Sequence, residues 1–121
     1  MAATSNISIN DNAAVAKTFI PTVQIKDGYE YRDSTSATAA PRTLRVTHVL
    51  SALSTNSNTK AGVRFTQVRL NSAGAVRTSY IDVTISAAKD GVTDADMLDL
   101  GAFVRNFLTN ANLSDVIIGK Y

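Results

Sequence analysis

Residues 78–87 read TSYIDVTISA, and in this stretch Ile81, Val83 and Ile85 alternate with hydroxyl-bearing or charged residues. Alternation with a period of two is typical of a β-strand that has one apolar face and one polar face. Residues 44–51, LRVTHVLS, repeat the pattern. Two such stretches predict an antiparallel sheet with one polar face, because an antiparallel sheet can turn one side to water.

Shorter runs rich in Thr, Val and Ile extend this sheet towards the N-terminus and through the middle of the chain. We expect these further strands at 6–10, 15–25, 29–32 and 63–70. Pro21 predicts an edge position or a bulge in the second strand, since proline cannot donate to a ladder. Val68 and Leu70 disturb the alternation of the 63–70 strand, which predicts a bulge or two-sided burial near Gln67.

The last quarter of the chain has a helical pattern. Thr93 is a good N-cap before acidic residues of a first turn, and a helix is expected to run to about Thr109, with a second short segment at 113–118. The apolar positions of the first helix cover about 200° of the helical wheel, wider than one sheet contact needs. We therefore expect the helices to reach a second copy of the chain.

Strands first and helices last define an α+β class. The predicted architecture is an antiparallel sheet, made of an N-terminal hairpin plus about five strands, followed by two C-terminal helices. With 121 residues, the chain is expected to form a single domain over 1–121, with a sheet part at 1–87 and a dimerising helical part at 93–121.

Charge is unevenly distributed although the net charge is only +2. The stretch 42–77 carries six basic residues and no acid, while the remainder carries six basic and ten acidic residues, so the two parts sum to +6 and −4. A basic element in an otherwise acidic chain is typical of a surface that faces a polyanion. A solvated basic face is the alternative, and charge alone does not decide between them.

Several kinds of chemistry are disfavoured by the residues present. Cysteine is absent, and no run approaches the about 20 apolar residues of a membrane span or the pattern of a secretion signal. His48 lies among inward-facing positions, which favours a packed, hydrogen-bonded histidine over a catalytic one. Asp94 and Asp96 are explained by helix capping and Asp99 by solvent exposure. We expect no catalytic residue, metal, cofactor, membrane partner or small-molecule substrate.

The polar face of the sheet carries groups that bind unpaired RNA. If the register places them on neighbouring strands, they are Arg45, Thr47, Arg64, Thr66, Tyr80 and Asp82. Arginines neutralise phosphates, threonines hydrogen-bond base edges, and a tyrosine ring stacks on a base. An ordinary solvated face with an exposed tyrosine is the alternative.

Local strings in the same order resemble the coat proteins of levivirus-type single-stranded RNA bacteriophages. Residues 44–47, LRVT, resemble the family's Tyr-Lys-Val-Thr, and residues 64–66, RFT, resemble its Lys-Tyr-Thr. Residues 78–82, TSYID, resemble Arg-Ser-Tyr-Leu-Asn, and the ending 118–121, IGKY, is similar to Ser-Gly-Ile-Tyr. The resemblance covers nearly the whole chain through the order and length of its elements.

The resemblance implies a homodimer with sheets joined edge to edge and helices crossing onto the partner. Such dimers build a quasi-equivalent (T=3) icosahedral virion shell in the bacterial host cytoplasm, bind genomic RNA on the inner sheet face, and in some members repress replicase translation by gripping an RNA hairpin. Residues 71–77 would correspond to a loop that switches conformation around the shell's symmetry axes.

Position by position, the resemblance assigns RNA contacts to Arg45 and Arg64, an adenine pocket to Thr47 and Thr66, and base stacking to Tyr80. Asp82 stands where the family has an RNA-binding asparagine, and a carboxylate there would repel phosphate. Val68 replaces an expected basic residue.

Two other functions remain open at this point. A small cytoplasmic, dimeric RNA-binding module would share the RNA affinity but would form no shell. A β-rich enzyme would depend on His48 and the aspartate cluster.

Overall fold

The computed structural model describes residues 5–49, 58–88 and 91–120. The strands are β1 (Ile7–Asn10), β2 (Ala16–Ile25), β3 (Gly28–Asp33), β4 (Arg42–Val49), β5 (Thr59–Leu70) and β6 (Val76–Ala87), and the helices are α1 (Asp94–Phe107) and α2 (Asn110–Ile117). They form two compact units, Met1–Ser86 with the sheet and Ala87–Tyr121 with the helices. The expected α+β order is confirmed, with six strands in the described residues.

The strands form one antiparallel sheet in which each strand neighbours the next along the chain, in the order β1-β2-β3-β4-β5-β6. The expected strands are confirmed to within a few residues at their ends, except that residues 50 and 51 of the predicted 44–51 strand lie outside the described residues. Because only adjacent strands pair, none of the described connections has to cross the sheet. β6 occupies one edge of the sheet.

The core of the sheet unit lies on one face. Phe19, Tyr31 and Leu44 are almost fully buried, and Phe65 packs its ring edge against Phe19 with the ring centroids 5.9 Å apart. Tyr31, Leu44 and Phe65 lie side by side because β3, β4 and β5 pair them directly. Val46 and Val63, also paired, extend the cluster. The face of β4 and β5 that carries these residues is the apolar face predicted by their alternation.

Pro21 marks a bulge, as its missing N–H predicts. The pairing of β2 with β3 shifts between Pro21 and Val23, so Thr22 is the extra residue. β1 pairs with β2 only from Ala16 to Phe19, so Pro21 lies beyond this pairing. Of the two alternatives expected near Gln67, the bulge does not occur, since β4 and β5 pair without a shift from Lys60 to Gln67. Residues 61–68 are half-buried on both faces of β5, which fits the alternative of two-sided burial.

Asp33 forms a buried polar centre at the end of β3 that sequence reasoning did not identify. Its side chain is fully buried and accepts hydrogen bonds from the backbone N and Oγ1 of Thr35 and from Nη1 of Arg42. Arg42 in turn donates from Nε to Oε1 of Gln67, at 2.8 Å. This network connects β3, β4 and β5 to the loop after β3.

Stability is expected to depend on pH through Asp33. Burial favours the neutral acid, but the hydrogen bonds from Thr35 and the charge of Arg42 outweigh it, and the pKa of Asp33 lies below its ordinary value of 3.8. The carboxylate therefore stabilises the fold fully above about pH 3.8, and this contribution is lost as the pH falls through the lowered pKa. Urea unfolding between pH 2 and 6 should show a steeper acid loss for the wild type than for Asp33→Asn. Parallel profiles would contradict this assignment.

The helical unit begins at the predicted cap. Thr93 Oγ1 accepts from the backbone N of Asp96, whose side chain accepts from the backbone N of Thr93, forming a capping box. The helix ends at Phe107, two residues before the expected end at about Thr109, because Thr109 caps α2 through the backbone N of Asn112. Neither helix, as described, is long and apolar enough to cross a membrane.

Large apolar side chains are left exposed along both helices, and neither helix contains a buried residue. Phe103 is 67% exposed, Leu98 73% and Ile117 74%. On the edge strand β6, Ile81 is 49% and Ile85 37% exposed. Such apolar surface is far more than isolated exposed residues would give, and it is typical of an interaction surface.

Candidate nucleic-acid interface

The residues predicted to bind RNA lie on the polar face of the sheet, opposite the core. Arg45 directly opposes Arg64 in the pairing of β4 with β5, and both alternate with core residues. Arg64 contacts Tyr80 and Asp82 of β6, which places these two side chains on the same face. Five of the six predicted residues are thus brought together in one patch, because Thr47 lines the same depression as Arg45, Arg64 and Asp82.

The arginines of this patch are already paired with acids of the same chain. Arg45 donates from Nε and Nη2 to Oε2 of Glu30 on β3, at 3.2 and 2.9 Å. Arg64 donates from Nε and Nη2 to the two carboxylate oxygens of Asp82, each at 2.6 Å. Like charges directly opposite each other destabilise a sheet, and an acid on the outer side of each arginine offsets that repulsion. The row Glu30–Arg45–Arg64–Asp82 therefore has no net charge.

Asp82 does not act as the free repulsive carboxylate that the sequence suggested. Its hydrogen bonds from Arg64 lower its pKa from the ordinary value of 3.8, so it is a carboxylate at neutral pH and its charge is balanced locally. Folding also balances the charge of other basic residues in the stretch 42–77. Three of its six basic residues pair with acids outside the stretch, namely Arg42 with Asp33, Arg45 with Glu30, and Arg64 with Asp82.

Tyr80 is 57% exposed, but the guanidinium of Arg64 lies over its ring, with Cζ 4.2 Å from the ring centroid. This is a cation–π contact, in which the negative face of the ring attracts the cation. The contact gives the tyrosine a role in orienting Arg64 that the sequence did not reveal. It also covers one face of the ring that was predicted to stack on a base.

The two predicted threonines are on the polar face but do not oppose each other. The register pairs Thr47 with Gly62 and Thr66 with Thr43. The row of Arg45 and Arg64 lies between these two pairs. A threonine pair does exist, but it consists of Thr43 and Thr66.

A depression of about 370 Å³ lies beside Arg64 on this face. Gly62 leaves space there because it has no side chain, and a Cβ built at this position would lie 3.1 Å from Oγ1 of Thr47. The polar residues that line it are Arg45, Thr47, His48, Lys60, Arg64, Asp82 and Thr84. The hydroxyl and carboxylate groups around this depression are able to hydrogen-bond the edge of a base. The ammonium group of Lys60 is able to neutralise a phosphate.

Glu30, Thr43, Gly62 and Lys60 belong to this face and were not assigned to it from the sequence. The alternation of Tyr29, Glu30 and Tyr31 carried a signal for Glu30, because neighbours along a strand point to opposite faces. Gly62 and Lys60 lay before the predicted start of the strand at Val63, whereas β5 begins at Thr59.

His48 is exposed, and the expectation of a packed histidine is wrong. The register places it on the core face opposite Ala61, but near the end of β4 and beyond the buried cluster of Phe19, Tyr31 and Leu44. Within residues 5–49, 58–88 and 91–120, no group of three or more His, Cys, Asp or Glu side chains is arranged to hold a metal.

No protein-family model and no curated protein matches this sequence. Among solved structures, the chain is similar to the virus-like particle of bacteriophage AVE019, with 12% identity and a TM-score of 0.73 over 97% of this chain and 95% of that chain. It is also similar to the virus-like particle of Beihai levi-like virus 21, with 14% identity and a TM-score of 0.73 over 96% and 94%. The virus-like particle of bacteriophage GQ-907 gives 21% identity and a TM-score of 0.73 over 93% and 86%.

The chain therefore has the fold of subunits from phage virus-like particles, over nearly its whole length. This confirms the fold implied by the sequence resemblance to levivirus-type coat proteins.

Proposed function

We propose that this protein is the coat protein of a single-stranded RNA bacteriophage, a non-enzymatic, single-domain subunit whose dimers assemble into an icosahedral virion shell. The observation that supports this most strongly is the fold shared with virus-like-particle subunits over 93–97% of the chain. Those neighbours are virus-like particles, and a chain with the same fold and extensive exposed apolar surface is suited to the same assembly.

The proposed dimer joins two β6 strands edge to edge and lays the helices of each subunit on its partner. β6 is an edge of the sheet, with Ile81 and Ile85 partly exposed. An edge strand offers unpaired backbone donors and acceptors, which a second strand can satisfy. The exposed apolar residues of α1 and α2 would be removed from water in the same step, each contributing about 1.5–3 kcal/mol if fully buried.

The polar sheet face is the proposed surface for viral RNA. Genome packaging needs summed phosphate neutralisation and base contacts more than one fixed sequence. Because the Glu30–Arg45–Arg64–Asp82 row is neutral, phosphate attraction on this patch depends on groups such as Lys60, or on arginines that exchange their carboxylate partner for phosphate.

The proposal extends to repression of replicase translation through an RNA hairpin. The two threonines assigned to the adenine pocket, Thr47 and Thr66, do not face each other across the strands. Thr66 opposes Thr43, while Thr47 opposes Gly62. A base bound between paired threonines would therefore contact Thr43 and Thr66.

Sedimentation of the protein expressed in bacteria tests assembly against the alternative of a small cytoplasmic RNA-binding module. A coat protein should sediment as particles that contain RNA, whereas the module should sediment as a dimer with or without RNA. A dimer at high protein concentration, with no particle fraction, would contradict the proposed shell.

Tyr80→Ala is expected to weaken binding of single-stranded RNA by about 1–3 kcal/mol, because the ring is exposed for base stacking and also holds the guanidinium of Arg64. The measurement is a filter-binding titration at fixed salt concentration. Tyr29→Ala is not a suitable control, because the Tyr29 ring packs against the core. Thr78→Ala, on the same strand and exposed, is the matched control. Unchanged affinity in Tyr80→Ala would remove this residue from the RNA site.

A further inference from the structure

The guanidinium of Arg64 is fixed from two directions. The Tyr80 ring lies on one side, 4.2 Å from Cζ, and the Asp82 carboxylate binds Nε and Nη2 in a bidentate manner. An arginine side chain has many rotamers, and ordering it on binding RNA costs free energy. Here the ordering has already occurred within the folded chain, so the plane of the guanidinium is preorganised.

The Arg64 side chain remains accessible despite these two contacts. The Arg64 side chain is 43% exposed, and it lines the depression around Gly62. Guanidinium planes, like aromatic rings, stack on unpaired bases. A volume of about 370 Å³ is at the lower end of the range for small-ligand sites, about 300–1,000 Å³, and is sufficient for a single nucleotide unit.

We propose that an unpaired RNA base stacks on the guanidinium of Arg64 within the Gly62 depression, and that Asp82 and Tyr80 are positioning residues which hold this guanidinium in place. This inference rests on the RNA binding proposed above and makes it specific. The base contacts Arg64 directly, and the Tyr80 ring supports Arg64 from the opposite side.

The depression supplies the remaining contacts for such a nucleotide. Thr47 and Thr84 lie at its wall with hydroxyl groups that can donate to or accept from a base edge. Lys60 is exposed beside them and provides a positive charge for a phosphate. Because the Arg64–Asp82 pair is neutral overall, its contribution to binding is stacking, which depends little on salt, and Lys60 carries the salt-dependent part.

Arg64→Lys distinguishes a stacking plane from a simple positive charge. Lysine retains the charge but lacks the planar group. The matched control is Arg45→Lys, because Arg45 lies on the same face, is also paired with a carboxylate, and opposes Arg64 directly. The probe is a short single-stranded RNA containing one 2-aminopurine, whose fluorescence is quenched on stacking, titrated into the full-length protein.

Arg64→Lys should weaken binding about tenfold and reduce the quenching, while Arg45→Lys should change both much less. Asp82→Asn should also reduce the quenching, although it removes a negative charge, and it should steepen the salt dependence because Arg64 becomes free to bind phosphate. Gly62→Ala should reduce the quenching by making the depression shallower.

If the wild type binds RNA and Arg64→Lys changes neither the affinity nor the quenching, the stacking role of Arg64 is overturned. RNA binding by the protein would then still stand. Unchanged quenching in Asp82→Asn would overturn its positioning role. A wild-type protein that binds no RNA would overturn RNA binding itself and, with it, this inference.

Discussion

Phe103→Ala should weaken the dimer by about 3–5 kcal/mol per subunit and abolish particles at moderate protein concentration. Phe103 is 67% exposed in the single chain, so its truncation costs the isolated subunit little. In the proposed dimer, the same ring is buried against the partner, and its loss leaves a cavity at the interface. Because each dimer contains the site twice, the effect on association is doubled. The measurement is the dimer dissociation constant by analytical ultracentrifugation.

Asn106→Ala is the matched control for this variant. It lies on the same helix, is also exposed, and removes a polar side chain that needs no apolar partner. It should assemble as the wild type does. A Phe103→Ala protein that remains dimeric at the same concentration as the wild type would contradict the proposed burial of α1 between subunits.

Asp33→Ala should lower the free energy of unfolding by about 2–4 kcal/mol, the second large effect. The substitution leaves the backbone N and Oγ1 of Thr35, and Nη1 of Arg42, without their buried acceptor. Arg42 is 34% exposed, so water compensates for part of the loss there. Urea unfolding at pH 7 measures the change.

Two further variants separate the network from a general effect of removing an aspartate. Asp33→Asn keeps one acceptor oxygen and should be destabilised less than Asp33→Ala. Asp11→Ala removes a surface aspartate that caps the β1–β2 turn through the backbone N of Ala13 and Val15, and it should cost about 1 kcal/mol or less. Equal stability of Asp33→Ala and the wild type would contradict the structural role of the buried carboxylate.

The strands and their faces could be predicted because the alternation is local. Leu44 and Val46 on one face, with Arg45 and Thr47 on the other, follow from the period-two geometry of a single strand. The cap at Thr93 and the bulge at Pro21 were predictable for the same reason, since each depends on the chemistry of one or two residues.

The contacts across strands could not be predicted, because they depend on register. Arg45 and Arg64 were both assigned to the polar face, but which acid each one meets is set by the pairing of β3, β4, β5 and β6. The threonines show the same limit, since a shift in pairing between β4 and β5 decides whether Thr47 opposes Thr66 or Gly62. The Asp33 network also depends on register, because it joins side chains from β3, β4 and β5.

Burial was predicted less well at the ends of strands. His48 has the parity of a core residue but lies beyond the buried cluster, and alternation alone gives no measure of where a core ends. The exposed apolar residues of β6 and α1 show the opposite case. Their pattern is that of buried residues, and a second copy of the chain is the partner that we propose for them.

Negative-stain electron microscopy of the protein expressed alone in bacteria, with absorbance at 260 and 280 nm on the same fraction, tests the proposed coat-protein function most directly. We expect uniform spherical particles that contain nucleic acid, and their absence from Phe103→Ala prepared in parallel. A soluble, correctly folded wild-type protein that forms no particles and carries no nucleic acid would contradict both the shell and the RNA-binding face.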